Sequence, residues 1–380
     1  MRHHYYVIHQ SLIVLVFLAM PCLSSALDYR IETVVDGLDR PYGIAFLPGG
    51  DILVSEQPGR LRIIRDGLLL PDPVSGVPDV YTGQQGGLLE IALHPRFEEN
   101  GFLYFSLSQG TEDANTMHVF RGRYNTSGLH DVIKIFTAVP AIKDSTLCSS
   151  HRMVFLPDET LLITVGDGFD YREEAQNLGS TLGKIVRVND DGQIPKDNPF
   201  INQSNAQSEI WSYGHRCALG IVYDRVTHTV YAHENGPKGG DELNLIQSGK
   251  NYGWPIATHG IDYTGAYISP FKAYPGTEQP MVQWTPALAP SGMTQCRNCQ
   301  WREWEGDLFI GMMRGQQVRR VSIKNNVVTE QEALFENLGE HIRNLRFGPD
   351  GALYLLTKNT KGRVLKVSLD TVSKLKAEGN

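Results

Sequence analysis

The stretch Glu209–Asp262 is the most informative part of the chain. Its sequence is EIWSYGHRCALGIVYDRVTHTVYAHENGPKGGDELNLIQSGKNYGWPIATHGID. Its first half predicts a short strand, a tight polar turn and a second strand, because β-branched and aromatic runs are bounded by turn residues. Its second half combines glycines, which allow sharp turns, with the acids Glu234, Asp241, Glu242 and Asp262. Calcium selects anionic oxygens and free carbonyls. The stretch therefore indicates a calcium loop, and a solvated, turn-rich loop is the alternative interpretation.

A repeated unit of strand, Pro/Asp/Gly turn and further strands runs through the chain. Its copies begin with the strands at Gly43, Leu89, Arg152, Leu219, Gly292 and Leu345. Six such repeats, with little helical periodicity outside the tail at 370–378, predict an all-β fold, a six-bladed β-propeller. We expect the first strand, Tyr29–Val35, to close the ring beside the last blade. Insertions at 169–201 in the third blade and at 233–290 between the fourth and fifth blades are expected to carry site residues.

The N-terminus has the pattern of a secretory signal peptide: a basic start, an apolar run and small residues up to Ala26. Cleavage after residue 26 would leave 27–380 as a single propeller domain with a short tail, in the periplasm or outside the cell. The alternatives are an uncleaved anchor, for which the apolar run is short, and a lipoprotein at Cys22, which Pro21 disfavours. The net charge of −7 and the lack of a basic stripe argue against nucleic-acid binding.

Three segments carry a resemblance to a known family: YGHR at 213–216, GPKGGDELNLI at 236–246 and GKNYGWP at 249–255. They resemble the soluble sugar dehydrogenases that carry pyrroloquinoline quinone, the glucose/sorbosone-dehydrogenase-like propellers. The resemblance extends from about Leu38 to Val367. It implies oxidation of the anomeric hydroxyl of an aldose, with calcium as a second cofactor and electrons passing to an external acceptor.

The resemblance implies a calcium site and a quinone site. Gly236 and Pro237 would offer carbonyls to the calcium that also binds the quinone, and the positions that hold further calcium are matched by Glu242, Tyr252 and Asp262. The alternatives are that Tyr252 packs against Trp254 and that Asp262 caps a turn. The residues that match quinone-binding positions are Gln85, Arg216, Arg314 and Arg343. Arg216 would face the quinone oxygen that gains negative charge, unless it is simply a buried arginine paired to an acid.

The catalytic base is the main departure from the family pattern. The family places a histidine four residues before the arginine that matches Arg152, and Cys148 stands there in this chain. The base is therefore missing or has moved to His151, which a one-residue offset would direct to the other face of a strand. Further losses are Met313 in place of a lysine, His341 in place of an arginine and Gly168 in place of a glutamine. The calcium-binding positions match the family pattern well, whereas several of the quinone- and sugar-binding positions carry other residues.

Four cysteines follow the predicted signal peptide, an even number that suggests disulfides in an oxidising compartment. Cys148 and Cys217 replace pocket residues of the family, so we expect them near each other and able to pair. The Cys296–Cys299 motif, expected on the side of the site, is its own disulfide or half of a metal site. Two structural disulfides of unknown connectivity are the simplest interpretation.

Three functions remain compatible with the sequence. The first is a secreted quinoprotein sugar dehydrogenase with residues Arg216, Cys148 and His151 as catalytic candidates. The second is a non-catalytic or repurposed propeller stabilised by calcium, which the missing histidine favours. The third is a calcium-dependent lactone hydrolase, for which the acids near residue 241 are the only support.

Overall fold

The structure is a computed structural model that describes residues 29–143, 148 and 150–370. The predicted signal peptide, residues 1–26, lies outside the described residues, and so does the predicted tail helix beyond Asp370. The described residues form 24 strands, numbered in chain order, in six four-stranded antiparallel sheets. These six sheets are the blades of the predicted β-propeller.

Blades one and two follow the first strand, β1 (Tyr29–Leu38). Blade one contains β2 (Pro41–Phe46), β3 (Ile52–Glu56), β4 (Arg60–Arg65) and β5 (Leu68–Leu69). Blade two contains β6 (Leu88–Leu93), β7 (Phe102–Gly110), β8 (Asn115–Asn125) and β9 (Gly128–Thr137), with the short helix α1 (Phe97–Asn100) between β6 and β7.

Blades three and four contain the stretch Glu209–Asp262. Blade three contains β10 (Ser150–Phe155), β11 (Leu161–Val165), β12 (Lys184–Val188) and β13 (Ile210–Tyr213). Blade four contains β14 (Ala218–Asp224), β15 (Thr229–Glu234), β16 (Asp241–Ile246) and β17 (Val282–Trp284). A 3₁₀ turn, Arg172–Gln176, lies between β11 and β12.

Blades five and six complete the ring. Blade five contains β18 (Pro290–Gln295), β19 (Leu308–Met312), β20 (Gln317–Lys324) and β21 (Val327–Leu334). Blade six contains β22 (Ile342–Phe347), β23 (Leu353–Thr357), β24 (Gly362–Leu369) and, as its outer strand, β1. Further 3₁₀ turns are Arg302–Trp304 and Glu336–Leu338.

The ring closes through the first strand, as the sequence predicts. β1 pairs antiparallel with β24, from Tyr29 opposite Leu369 to Leu38 opposite Gly362. The inner strands β2, β6, β10, β14, β18 and β22 pack side by side around the axis, with β22 returning to β2. Blade six, completed by β1, packs against blade one through β22 and β2, so each of the six blades has a neighbour on both sides.

Apolar side chains fill the space between neighbouring blades, because successive residues of each strand point to opposite faces of its sheet. Between blades one and two this core includes Leu53, Leu61, Leu103 and Phe105, each at most 1% exposed. The ring is thus held by face-to-face packing of adjacent sheets.

Charged residues hold the inner strands together at the axis. Arg152 on β10 donates from Nη1 to Glu90 Oε2 on β6 at 2.5 Å. The same guanidinium donates to the carbonyls of Leu219 at 2.9 Å and Arg343 at 3.1 Å, and it stacks 4.4 Å from the ring centre of Tyr42. One buried arginine therefore connects blades one, two, three, four and six.

Every inner strand contains a register irregularity close to its first residue. The irregularities fall between Pro41 and Ile44, Leu88 and Ile91, Ser150 and Met153, Ala218 and Gly220, Ser291 and Met293, and Ile342 and Asn344. A bulge interrupts the alternation of side chains between the two faces. The same end of each inner strand is therefore reshaped in all six blades.

The expected insertions need correction. The range 233–290 does not separate blades four and five, because it contains β16 and β17, the two outer strands of blade four. The irregular part is 247–281, between these two strands. The range 169–201 likewise contains β12, so it is two connections, before and after that strand. The pattern was missed because β17 has only three residues.

Candidate active site

A cavity of about 510 Å³ lies where the inner strands begin, at the end of the axis that carries the bulges. Connections from several blades supply its walls: Gln85, Cys148, Phe169, Arg216, Cys217, Leu219, Asn235, Gly236, Pro237, Asp241, Tyr263, Ala287, Ala289, Met313, Arg314 and Arg343. The cavity thus brings together seven of the predicted site residues: Gln85, Cys148, Arg216, Gly236, Pro237, Arg314 and Arg343.

Arg216 is held rigidly in the cavity wall. Its backbone N–H donates to Glu234 Oε2 at 2.5 Å, and its Nη1 donates to the carbonyl of Asn235 at 2.8 Å. The guanidinium lies 5.4 Å from the ring centre of Trp254, whose indole donates to Asp167 Oδ2 at 2.8 Å. Burial raises the pKa of Asp167, and the nearby guanidinium of Arg216 partly offsets this rise. A preorganised cation with fixed partners suits the stabilisation of developing negative charge.

A buried polar network supports Arg216 from behind. His215 shares hydrogen bonds with Ser212 Oγ at 2.8 Å and Glu234 Oε1 at 3.2 Å. The imidazole also stacks on Tyr252 at 4.6 Å between ring centres. Ser212 and His215 are both 0% exposed, so this serine–histidine–glutamate arrangement cannot meet a substrate and acts as a support.

Two further arginines face the same cavity. Arg343 lies 5.2 Å from the ring centre of Tyr42 and donates to Ser291 Oγ at 3.4 Å. Burial lowers its pKa to about 10, so the guanidinium stays cationic at neutral pH. Arg314 is exposed at the rim, and its backbone N–H bonds the Leu288 carbonyl at 3.0 Å. Gln85 lies at the mouth, with its carbonyl bonded by Gln57 Nε2 at 3.0 Å.

His151 does not reach this cavity, so the interpretation that it replaces the family's histidine is wrong in this structure. Its ring is 0% exposed and is absent from the cavity wall. Neither ring nitrogen has a hydrogen-bond partner within the part of the chain that the structure describes. Burial, with the neighbouring charges of Arg152 and His118, lowers its pKa to about 3. Cys148, which the resemblance places at the position of the base, does line the cavity.

The cysteines differ from the expectation of two disulfides. Cys148 and Cys217 lie together in the cavity wall, as predicted, but both are free thiols. Cys296 and Cys299 form a disulfide with 5.3 Å between their Cα atoms. This disulfide is on the opposite face, because β18 begins beside the cavity residue Ala289 and delivers Cys296 at its far end, roughly 20 Å away.

The five predicted calcium residues occupy different places. Gly236 and Pro237 line the cavity, whereas Asp262 is at an outer rim, 3.6 Å from Arg172. Tyr252 donates to the Leu245 carbonyl at 2.6 Å within an apolar core. Glu242 lies on β16 directly opposite Glu234, and burial together with this second carboxylate raises its pKa to about 8. Within 29–143, 148 and 150–370, no cluster of three or more His, Cys, Asp or Glu could hold a metal ion.

Two aromatic residues at the mouth were missed by the sequence reasoning. Phe169 and Tyr263 stack at 5.9 Å between ring centres and both line the cavity. They come from the two connections, 166–183 and 247–281, that the strands β11 and β16 lead into. An aromatic residue directly after the buried Gly166–Gly168 turn was an available signal, since exposed aromatic faces bind the apolar faces of sugars and other rings.

The fold and cavity define a six-bladed β-propeller with a cationic pocket at one end of its axis. The chain matches the family described as glucose/sorbosone dehydrogenase over residues 38–366, and it belongs to that family. Aldose sugar dehydrogenase YliI of Escherichia coli is 39% identical over 358 residues, covering 91% of this chain and 96% of that protein.

Two other relatives extend the comparison. Protein slr1608 of Synechocystis is 45% identical over 359 residues, which cover 90% of this chain and 86% of that protein. The PQQ-bound form of aldose sugar dehydrogenase from Streptomyces coelicolor superimposes with a TM-score of 0.72 and 27% identity, over 90% of this chain and 99% of that one. Two of these three relatives are thus described as aldose sugar dehydrogenases.

Proposed function

We propose that this protein is a quinoprotein sugar dehydrogenase, which oxidises the anomeric hydroxyl of an aldose with pyrroloquinoline quinone and calcium and passes electrons to an external acceptor. The observation that carries the proposal is the convergence of Arg216, Arg314 and Arg343 on one cavity of about 510 Å³. A ligand with three carboxylates suits this set of cations. The name of the Streptomyces relative, a PQQ-bound sugar dehydrogenase, supports the same ligand.

The residues of the cavity have distinct tasks in this proposal. A bound quinone would supply the hydride acceptor, and the protein would hold and orient it. Arg216 stabilises negative charge on an oxygen of the bound ligand, because its own hydrogen bonds fix its position before reaction. Arg314 and Arg343 bind carboxylates, and Gln85 contacts the ligand at the mouth. Phe169 and Tyr263 offer ring faces to the sugar.

Oxygen atoms without partners support a cation behind the Gly236–Pro237 wall. Asn235 Oδ1 and Asn244 Oδ1 are buried acceptors without a hydrogen-bond partner among the described residues. Asn235 directly follows Glu234, the last residue of β15, and Asn244 lies on β16 with Glu242. Glu234 and Glu242 are directly opposite each other. A hard cation satisfies such acceptors, and we propose calcium there, held by Glu242 and by the Gly236 and Pro237 carbonyls. Tyr252 and Asp262 remain candidates for separate calcium positions.

The experiment is a titration of the calcium-loaded protein with pyrroloquinoline quinone, followed through tryptophan fluorescence and then through quinone absorbance as aldoses are added. Trp254 stacks on Arg216 and acts as an internal reporter. Saturable binding followed by sugar-dependent reduction is expected. Arg216→Lys should weaken binding roughly 10- to 100-fold, because lysine cannot reproduce a fixed planar contact. Arg65→Lys, at an exposed pair with Asp51, should bind like the wild type.

A repurposed propeller is the second candidate, and one observation favours it: no histidine lies among the described residues of the cavity wall, where Cys148 occupies the position of the base. Quinone binding without reduction by any aldose would select this function. Absence of quinone binding at millimolar calcium would refute both the cofactor and the dehydrogenase.

Secretion to the periplasm or the outside of the cell completes the proposal. No helix in the described part of the chain is long and apolar enough to cross a membrane. The basic and apolar residues before Ala26 support a cleaved signal peptide. N-terminal sequencing of the protein from a fractionated host should find a chain that starts at Leu27, and recovery of the intact N-terminus from the cytoplasm would contradict this.

A further inference from the structure

Two thiols lie side by side in the cavity wall, where the fold brings the starts of two inner strands together. Cys148 precedes β10 of blade three, and Cys217 immediately precedes β14 of blade four. They pack with Leu219 and Phe169 and are 8% and 3% exposed. The two side chains are hydrogen-bonded to each other, and this contact together with burial raises the pKa of Cys217.

We propose that Cys148 and Cys217 are a redox-active dithiol, which oxidises reversibly to a disulfide that joins blades three and four at the cavity. The two side chains pack in one small apolar cluster, and each lines a cavity open to small solutes. The chemistry belongs to the chain itself and does not depend on the ligand proposed above.

The second cysteine pair shows why the two sites differ. Cys296 and Cys299 are already bonded and lie among the buried rings of Trp301 and Trp304, away from the cavity. This pair is shielded and is expected to stay oxidised under mild reduction. The Cys148–Cys217 pair instead borders a cavity that admits a small oxidant. The part of the chain that the structure describes thus contains one shielded disulfide and one buried dithiol that borders the cavity.

The charge of Arg216 acts against the rise in the pKa of Cys217, because a cation near a thiol stabilises the thiolate that attacks. With a low-molecular-weight disulfide as oxidant, one thiolate displaces a small thiol and forms a mixed disulfide. The other cysteine then attacks this mixed disulfide, loses its proton and displaces the second small thiol. Two S–H bonds are lost, one protein S–S bond forms, and the small disulfide is reduced to two thiols.

Oxidation should be visible in stability as well as in mass. The new bond closes a loop between positions 148 and 217 and removes conformations from the unfolded chain. The expected result is a rise of several degrees in Tm on oxidation, lost again with dithiothreitol. Cys148→Ser and Cys217→Ser should each fold, because serine is nearly isosteric with cysteine, and each should show no rise.

The test uses the full chain, equilibrated with oxidised or reduced glutathione, alkylated with N-ethylmaleimide under denaturing conditions and weighed intact. Reduced protein should carry two labels more than oxidised protein, and tryptic mapping should recover a peptide pair linked through Cys148 and Cys217. Each single serine variant should instead retain one glutathione on the remaining cysteine. Neither readout involves quinone or sugar, so failure here is separate from failure of the proposed dehydrogenase.

Three results would overturn the proposal. The first is full labelling of both cysteines after prolonged exposure to oxidised glutathione. The second is oxidation that links either cysteine to Cys296 or Cys299 instead. The third is protection of both thiols by a bound soft metal ion, detected as labelling that returns only after a chelator is added; the pair would then be a metal site.

Discussion

At the scale of single residues, charge is concentrated on the axis of the propeller, where a soluble protein usually places apolar groups. Glu90 is the carboxylate that faces two guanidinium groups, Arg152 at 2.5 Å and Arg346 at 3.7 Å. Glu90 and Arg152 are 0% and 2% exposed. A buried cluster of charges contributes little net stability compared with apolar side chains of similar volume, but removing one partner leaves an uncompensated charge.

The first prediction concerns this cluster. Glu90→Gln should lower the free energy of unfolding by about 3–5 kcal/mol, because two buried cations lose their counter-charge. Urea denaturation measures the change. Asp51→Asn removes the partner of the exposed Arg65 and is the matched control, expected to be nearly neutral. Equal effects of the two substitutions would contradict the role of burial.

The second prediction concerns Glu242, whose pKa is raised to about 8 by burial and by Glu234. Between the ordinary pKa of an unfolded glutamate and pH 8, the folded state holds a proton that the unfolded chain has lost. The free energy of unfolding therefore falls as pH rises through this window. Glu242→Gln should remove this fall in metal-free buffer, so the free energy of unfolding of the variant, relative to that of the wild type, should rise between pH 5 and pH 8.

Calcium gives this prediction a second arm. A bound cation favours the charged carboxylate, so millimolar calcium should abolish the pH-dependent loss in the wild type and leave Glu242→Gln unchanged. Melting temperatures at pH 5 and pH 8, with and without calcium, measure both arms. Glu98→Gln, on the exposed face of α1, is the control. Identical pH slopes for the wild type and Glu242→Gln would show that the carboxyl is already satisfied.

At this scale, the position of a residue next to a glycine or a strand end is predictable from the sequence, whereas the position of a residue in a bulge is not. Arg216 and Arg343 were predicted as cavity residues, and the structure places both there. Counting back from Arg152 gave Cys148 as the position of the base, with His151 as the alternative after a local shift, but β10 is irregular between Ser150 and Met153. Cys148 and His151 also have φ angles of 52° and 77°, which the pattern of apolar residues does not reveal.

At the scale of elements, the inner strands approach each other so closely that some positions admit only glycine. A Cβ at Gly43 on β2 would lie 2.8 Å from both the amide of Ile91 and the carbonyl of Leu89 on β6. These are backbone atoms, which cannot rotate aside. Gly43 therefore sets the spacing between blades one and two.

The third prediction follows from this spacing. Gly43→Ala should force blades one and two apart and lower the free energy of unfolding by about 1–3 kcal/mol, the usual cost of overpacking. Gly49→Ala, in the following turn with nothing within 4 Å, should leave stability unchanged. Chemical denaturation of the two variants side by side tests this, and a neutral Gly43→Ala would mean that the blades can move.

The elements themselves were predictable where the turn chemistry is strong. Five blades begin with an apolar run that ends in a turn containing Pro, Asp or Gly, whereas β18 of blade five leads into the Cys296–Cys299 loop. All six blades are nevertheless predicted from the sequence. The outer strands of blade four were not, because β16 and β17 are separated by the long connection 247–281. Their pairing, Asp241 opposite Trp284, is a tertiary contact that no local pattern encodes.

At the scale of the whole molecule, the ring depends on a single non-local strand pairing. β1 covers the edge of β24, so that blade six has four strands like the others. An uncovered β24 would present free N–H and C=O groups to other chains. The architecture was readable from repetition, whereas the free state of Cys148 and Cys217 depends on the exact approach of two blades.

The fourth prediction concerns this closure. A chain that starts at Tyr29 should melt cooperatively and run as a compact species, whereas a chain that starts at Asp39 lacks β1 and should self-associate through β24. Gel filtration and a thermal scan distinguish the two. A compact, cooperative chain without β1 would show that the five complete blades and the three strands of blade six suffice.

The order of synthesis adds a consequence to the pairing of Tyr29 with Leu369. A ribosome makes the first strand of the ring before any other and its partner after all the rest. At roughly 5–20 residues per second, β1 waits on the order of tens of seconds for β24. Throughout that time the backbone N–H and C=O groups of the β1 segment lack their partner strand. The last strand to be translated, β24, is therefore the one that covers the first strand, β1.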